Sequence, residues 1–180
     1  MLYIKRLEQS ELVPLFGSEK SLVSEQVLVR VSRLGFSLAY QQKGKAEWEA
    51  FPPEEGLYSD RQGMAYFGAI SDGQIIGLSC VSIGSNGWTD LLDIRVDAAY
   101  RRIGAGKAML DACEAWGADR GLVGLRTITS DRNPAACQFL EHCGFLLGGI
   151  DRISMSMLPD ERDKPLANRS CLLVFYRKNR

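Results

Sequence analysis

The sequence predicts an α/β protein: a mixed, mostly antiparallel central sheet with helices on both faces. Three observations predict it. Asp72-Gly73 and Asn86-Gly87 stand between apolar runs, and such pairs are the strongest short hairpin signals, so the middle of the chain reads as an antiparallel meander. A helical pattern over 104–119 separates that meander from a fresh apolar run at 122–129, which makes the two flanking strands parallel neighbours. Asn133-Pro134, a good N-cap followed by a residue suited to the first helical turn, opens a second helix ahead of two final strands.

Taken in order, Leu2–Leu7 alternate enough for a short first strand. From Ser18 the residues Val23, Val27, Val31, Leu34 and Leu38 recur at three- and four-residue steps, the signature of one buried helix face, with Ser18 as cap and Glu19 in the first turn. Lys43–Gly63, containing Phe51-Pro52-Pro53-Glu54-Glu55-Gly56, reads as a polar loop of the length that forms lids. The meander strands are Ala65–Ile70, Gln74–Ile83 and Trp88–Val96. The helix from Gly104 to Asp119 has Ala105, Met109, Ala112, Ala115 and Trp116 as its inward stripe, weakened and ended by Gly117 and Gly121. Leu122–Thr129 is a strand. The second helix turns Ala136, Phe139, Leu140 and Cys143 inward and stops at Gly144. Phe145–Ile150 and Ser170–Tyr176 are the last strands, with a charged loop at Pro159–Lys164 between them.

A length of 180 residues fits one domain, 1–180, with a core near 65–150. The 22 basic and 22 acidic residues balance to zero, which argues against nucleic acid or an anionic membrane as partner. No apolar run is long enough to span a bilayer and the start lacks the apolar core of a signal peptide, so a cytoplasmic location is the default. Five cysteines without a Cys-x-x-Cys pair read as buried free thiols, and with His142 the one histidine no metal is expected.

The most informative stretch is Tyr100-Arg101-Arg102-Ile103-Gly104-Ala105-Gly106-Lys107, between a strand and a helix. Such a turn points backbone N–H groups at one spot, beside the partial positive charge of a helix N-terminus, and so favours a phosphate. It lacks the Gly-Lys-Ser/Thr ending of a Walker loop and the third glycine of a dinucleotide fingerprint. A plain strand-to-helix turn remains the alternative for the motif on its own.

Val96-x-x-x-Tyr100-Arg101-x-x-Gly104-x-Gly106 resembles the acetyl-CoA signature of the GNAT superfamily of N-acetyltransferases, and Asn133-x-x-Ala136-x-x-Phe139-x-x-x-x-Gly144-Phe145 resembles its second signature. Asp93-Ile94-x-Val96, Ala136-Cys137-Gln138-Phe139, Gly144-Phe145-x-Leu147-Gly148-Gly149-Ile150-Asp151 and Leu173-x-Phe175-Tyr176 resemble the streptothricin acetyltransferases within it. Those enzymes acetylate an amine on a β-lysine moiety.

The resemblance implies a GNAT fold with a parallel, splayed strand pair at the acetyl-CoA site, acetyl-CoA as co-substrate without a metal, and transfer to a primary amine of a small molecule by direct attack. It implies that Arg101, Arg102, Ile103, Gly104, Ala105, Gly106 and Lys107 cradle the pyrophosphate. The pantetheine arm then pairs with backbone of Ile94, Arg95 and Val96, with Asn133, Ala136 and Phe139 completing the cofactor site. An alkylamine must lose a proton before attack, so Asp93, and after it Asp90, are the candidates to bind or deprotonate it. Pairing of Asp93 with Arg95 is the competing structural reading. The tyrosine that many members carry after the phenylalanine of the second signature is Leu140 here, and leucine donates no proton; the acid is then another group, with Cys137 and Tyr176 as candidates, or water, or none is needed. Residues 1–64 match no motif, and in this superfamily that part shapes the acceptor pocket. Glu47, Glu49, Glu54, Glu55 and Asp60 are candidates to attract a cationic acceptor, Trp48, Tyr58 and Trp88 to line its pocket. Acetylation of a protein N-terminus or lysine, and a CoA-binding module without catalysis, are the alternatives. The last strand is a candidate to pair across a homodimer.

Overall fold

A computed structural model describes residues 1–12, 20–52, 56–58, 63–154 and 170–179. In chain order the strands are β1 (Tyr3–Leu7), β2 (Lys20–Ser32), β3 (Gly35–Ala50), β4 (Met64–Ser71), β5 (Gln74–Ile83), β6 (Thr89–Val96), β7 (Gly124–Ser130), β8 (Leu146–Asp151) and β9 (Leu172–Lys178); the helices are α1 (Ala105–Ala118) and α2 (Pro134–His142). The chain forms two compact units, the first of Met1–Ser21, Ala50–Arg126 and Lys178–Arg180, the second of Leu22–Glu49 and Thr127–Arg177.

In the first unit the hydrogen-bonded order is β1-β4-β5-β6 and then the start of β7. The meander forms as expected. Asp72 and Gly73 sit at φ 49° and 79°, and Asn86 and Gly87 at 56° and 79°, the left-handed pairs that tight hairpin turns need. Helix α1 crosses from β6 to β7 and makes them the parallel pair of a mixed, mostly antiparallel sheet.

Helix α1 packs on β1, β4, β5 and β6. Its buried residues are Ala105, Met109, Leu110, Cys113, Trp116 and Gly117. The expected stripe through Ala112 and Ala115 is displaced, and Ala115 is exposed; Leu110 and Cys113 remove more apolar surface from water than alanines beside them. Gly117 does not end the helix. A Cβ there would stand 2.0 Å from Oγ1 of Thr89, so its bare backbone is what lets α1 approach β6. The stop is Gly121, at φ 73°, with the Leu122 N–H donating back to the Gly117 carbonyl at 3.0 Å.

The sheet buries both faces. Leu7, Tyr66, Leu78 and Cys80 pack with Leu57 on one side. Ala69 and Ile76 pack with Ala105 and Met109 of α1 on the other, joined by Ile94, Val96 and Tyr100.

In the second unit β9 lies between β7 and β8, antiparallel to β8 from Leu146↔Tyr176 to Asp151↔Leu172. Both edges of the last strand are therefore taken, and the expected pairing of that strand across a homodimer is corrected: β8 is the edge. The helix expected from Ser18 to Leu38 is also corrected. This segment is a hairpin of β2 and β3, turning into Gly35 at φ 122°; Ser18 and Glu19 lie outside the described residues. On β2 Ser21, Val23, Glu25, Val27 and Val29 are covered while Leu22, Ser24, Gln26, Leu28 and Arg30 are exposed, a period of two. Valines at 23, 27 and 31 share a face in either period, so their spacing could not decide, and β-branched side chains favour the strand.

Much of the loop expected at 43–63 is strand as well, since β3 runs to Ala50. Glu54, Glu55, Asp60 and the Pro159–Lys164 loop lie outside the described residues. All five cysteines are free and buried, and no helix among the described residues is long and apolar enough to cross a membrane.

Candidate active site

The geometry of the site starts from an irregularity in β6. Cys80 opposes Asp93 and Val81 opposes Leu91, so Leu92 is an extra residue in the ladder. A bulge of this kind bends the strand and re-aims the side chains that follow. Before it, Thr89 and Leu91 are buried; after it, Ile94 and Val96 take their place on the α1 side. Asp93 and Arg95 consequently point to the opposite face. There Leu7, Tyr66, Cys80 and Asp93 form one cross-strand row. Without the bulge, strict alternation would put Asp93 on the face of Leu91. The sequence signal is slight: two successive leucines break the alternation just before the aspartate.

Asp93 is not free. Arg95 grips it with both arms of the guanidinium fork, Nε to Oδ2 at 2.5 Å and NH2 to Oδ1 at 2.8 Å, with side chains only 10% and 14% exposed. The hydroxyl of Tyr58 donates to Oδ2 as well. Burial first, then the charge of Asp93, pushes the Tyr58 phenol far above its ordinary value. Burial is the largest single influence on Arg95 and opposes its charge, but the bond to Asp93, the charge of Asp93 and Tyr58 together outweigh it and hold the guanidinium above its usual value. Asp90, before the bulge, is tied to Arg126 at 3.0 Å and lies against Gly84.

The loop into α1 has the geometry its glycines predict. Gly104 occupies the N-cap position at φ 90°, ψ −3° without any side-chain cap. Arg102 is left-handed too, at φ 69°, an outlier for a non-glycine residue of the kind that collects at ligand sites. The first intrahelical bond is Ala108 N–H to Gly104 carbonyl at 3.0 Å, which leaves the N–H groups just before it without an intrahelical acceptor. Arg101, Arg102, Ile103 and Gly104 are exposed, Ala105 is buried. Arg101 donates through Nε to the Val96 carbonyl at 3.2 Å, and Lys107 pairs with Asp111 at 2.6 Å. Bare N–H groups at a helix start, flanked by arginines, are the donor set a pyrophosphate requires.

The remaining site residues stand in the second unit. Asn133 caps α2, its Oδ1 accepting from the Ala136 N–H at 3.1 Å. Pro134, Cys137 and Leu140 are the buried residues of α2, while Ala136 and Phe139 are half-buried. Leu140, 4% exposed, is a core side chain. Cys137 is fully buried and its thiol is pushed up to about 12 by burial and then by Glu141 and Asp131, which makes it a weak proton donor. Glu49 is already paired with Lys43 at 3.3 Å and Arg132 at 3.0 Å, and Trp48 is exposed. Of the three aromatics considered for a pocket, Tyr58 is joined to a candidate catalytic residue; its bond to Asp93 spans 35 positions, and no local pattern announces it.

The model of the acetyltransferase (GNAT) family matches residues 30–145. Similar proteins include a streptothricin acetyltransferase of Escherichia coli, 28% identical over 141 residues that make up 77% of either chain. Streptothricin acetyltransferase A of Bacillus subtilis (strain 168) is 28% identical over 120 residues, 67% of this chain and 66% of that one. Among solved structures, one assigned as a streptothricin acetyltransferase from Bacillus anthracis str. Ames, in complex with acetyl coenzyme A, superposes with a TM-score of 0.82 at 22% identity, covering 99% of this chain and 97% of that one. A nourseothricin acetyltransferase gives 0.78 at 18% identity, covering 99% of both; both share the fold. With two signatures in order and the family model spanning both the β6–α1 loop and α2, the chain belongs to the GNAT family and is an acetyl-CoA-dependent N-acetyltransferase.

Proposed function

We propose that this acetyltransferase modifies a primary amine of streptothricin or of a similar small polyamine, and that Asp93 receives that amine. The observation that carries the reading is the bulge at Leu92, which turns a fixed carboxylate away from α1 on the strand that feeds the phosphate-binding loop. The relatives named for streptothricin support the acceptor class.

On this reading the N–H groups from Arg102 to Lys107, with Arg101 and Arg102, hold the pyrophosphate of acetyl-CoA. Backbone of Ile94, Arg95 and Val96 takes the pantetheine arm, and Asn133, Ala136 and Phe139 are the further residues proposed to bind the cofactor. The left-handed Gly104 and the uncapped start of α1 fit such a group. The bound co-substrate supplies an acetyl thioester. An alkylamine with a pKa near 10.4 is free base in about one molecule in a few thousand at pH 7, so the amine must be bound and oriented as its proton leaves. Asp93, fixed by its own partners, does this without reorganising, and holding the two reactants together supplies much of the remaining acceleration.

The experiment follows release of free CoA thiol from acetyl-CoA with streptothricin, spermidine, lysine and short peptides as acceptors. Turnover of streptothricin or spermidine above hydrolysis is expected. Turnover confined to peptide N-termini or peptide lysines would overturn the small-molecule reading, and full activity of Asp93→Asn across pH would remove Asp93 from its role.

A further inference from the structure

The Tyr58 ring has a packing role that needs no hydroxyl. Leu57 beside it is 2% exposed in the core cluster, the Tyr66 hydroxyl donates to the Leu57 carbonyl at 3.1 Å, and the Tyr58 and Tyr66 rings stand 5.9 Å apart. A phenylalanine would pack the same way. What the hydroxyl adds is polar contact with the Arg95–Asp93 pair: it donates to Oδ2 of Asp93 and also acts on the Arg95 guanidinium. With Arg95 Nε on Oδ2 and NH2 on Oδ1, three donors converge on this carboxylate. A carboxylate accepts about four hydrogen bonds. One acceptor position is left, on Oδ1, and its direction is set by the donors on the other three.

We propose that Tyr58 is a positioning residue for the acceptor amine: together with Arg95 it locks the Asp93 carboxylate so that its remaining Oδ1 position accepts an N–H of that amine. This rests on the reading of Asp93 given above and specifies how that residue works. Because Arg95 balances the charge of Asp93, the Oδ1 position orients an amine N–H without adding net negative charge that would hold the extra proton on the nitrogen. Desolvation and the nearby carboxylate keep the Tyr58 phenol protonated throughout the working range, so it remains a donor. The segment from Leu57 to Tyr58 thereby gives the acceptor-shaping N-terminal part a direct hand on the reactive strand.

The test is Tyr58→Phe, compared with Asp93→Asn and with the double variant. Steady-state kinetics are run with streptothricin and with spermidine, and acetyl-CoA affinity is measured by calorimetry. Losing one hydrogen bond to a charged group predicts that the amine KM of Tyr58→Phe rises about tenfold, while acetyl-CoA affinity stays within about twofold. In the Asp93→Asn background the Tyr58→Phe effect should vanish, because it acts through that carboxylate. Wild-type amine KM in Tyr58→Phe, with Asp93→Asn impaired, overturns this inference and leaves the role of Asp93 standing. Wild-type kinetics in Asp93→Asn overturn both. Additive losses in the double variant overturn it too, since Tyr58 would then act by another route. A wild-type enzyme that turns over spermidine and not streptothricin removes the antibiotic from the proposed function and leaves this test intact; one that turns over neither removes both.

Discussion

Gly104 is the residue on which the proposed phosphate cradle turns, and it can be perturbed in graded steps. Its φ of 90° belongs to the left-handed region, yet a Cβ added there meets no atom within 4 Å. A substitution therefore clashes with nothing in the protein, and its whole intramolecular effect is backbone strain, about 1–2 kcal/mol for a residue with a Cβ. That strain must appear somewhere. If the loop keeps its shape in the variant, stability falls, and at about 2–4 °C per kcal/mol for a chain of this size Tm drops by about 2–8 °C. If the loop relaxes, the strain is met on binding, and the acetyl-CoA Kd rises about 5- to 30-fold. Gly104→Asn should lose least in Tm, because asparagine tolerates this region, and Gly104→Val most, because it is β-branched. Differential scanning fluorimetry and calorimetric titration with acetyl-CoA measure the two arms. A valine variant with both the Tm and the Kd of the parent would refute the cradle and the strain in it together.

Three other measurements probe the frame around the site. Gly117→Ala gains up to about 1 kcal/mol of helix propensity, but its Cβ would overlap the buried Thr89 hydroxyl at 2.0 Å; overpacking costs about 1–3 kcal/mol, so Tm should fall, and a rise would mean that α1 and β6 are loosely packed. Cys137 and Cys171 are both pushed up to about 12 and all five cysteines are buried, so the native protein should show no fast-reacting thiol toward a disulfide reagent at pH 8, whereas guanidinium should release all five; an immediate burst would count against this packing. Tyr58 and Tyr40 both have phenols raised above their ordinary value, burial being the largest cause in each. Groups raised in the folded state contribute stability that is fully present below the unfolded pKa, about 10, and is lost as pH climbs above it, by at most about 1.4 kcal/mol per pH unit for each group. Stability measured in denaturant between pH 9 and 11.5 should therefore decline, less steeply in Tyr58→Phe, and an unchanged slope in that variant would contradict the burial of its phenol.

The parts of the fold legible in the sequence were those with local punctuation. Asp72-Gly73, Asn86-Gly87, Asn133-Pro134 and Gly144 each carry a backbone demand that only a few residue types meet, and the hairpins and helix ends fall where those residues stand. The β2–β3 hairpin was illegible because every fourth residue shares a face in both periods, so the valines at 23, 27 and 31 fit a helix and a strand alike; its turn at 33–34 carries Gly35 alone as a weak signal. In the candidate site the geometry of the loop into α1 was readable, being local, and so was the pairing of Asp93 with Arg95; the full clasp on Asp93 was not. It depends on an extra residue at Leu92 and on a tyrosine brought in from 35 positions away.

Two proton transfers are needed for amine acetylation, and their sizes explain how Leu140 can stand where many relatives carry a tyrosine. A thiolate leaving group with a pKa near 8.5 lies about 1.5 units above neutrality, roughly 2 kcal/mol, whereas an alkylammonium near 10.4 lies about 3.4 units above it, roughly 4.6 kcal/mol. The thiolate leaves readily enough for water to protonate it afterwards; the amine attacks only when its lone pair is exposed and aimed. Leu140 is a core side chain of α2, so a tyrosine there would have to bury its hydroxyl or displace its neighbours, at a loss of about 1–3 kcal/mol for an unmet hydrogen bond. A leucine at 140 therefore forgoes help from that position with the easier proton transfer and spares the core. Aiming the amine for the harder step is the role proposed for Asp93, and around that one carboxylate this chain gathers a bulge, a guanidinium fork and a half-buried phenol.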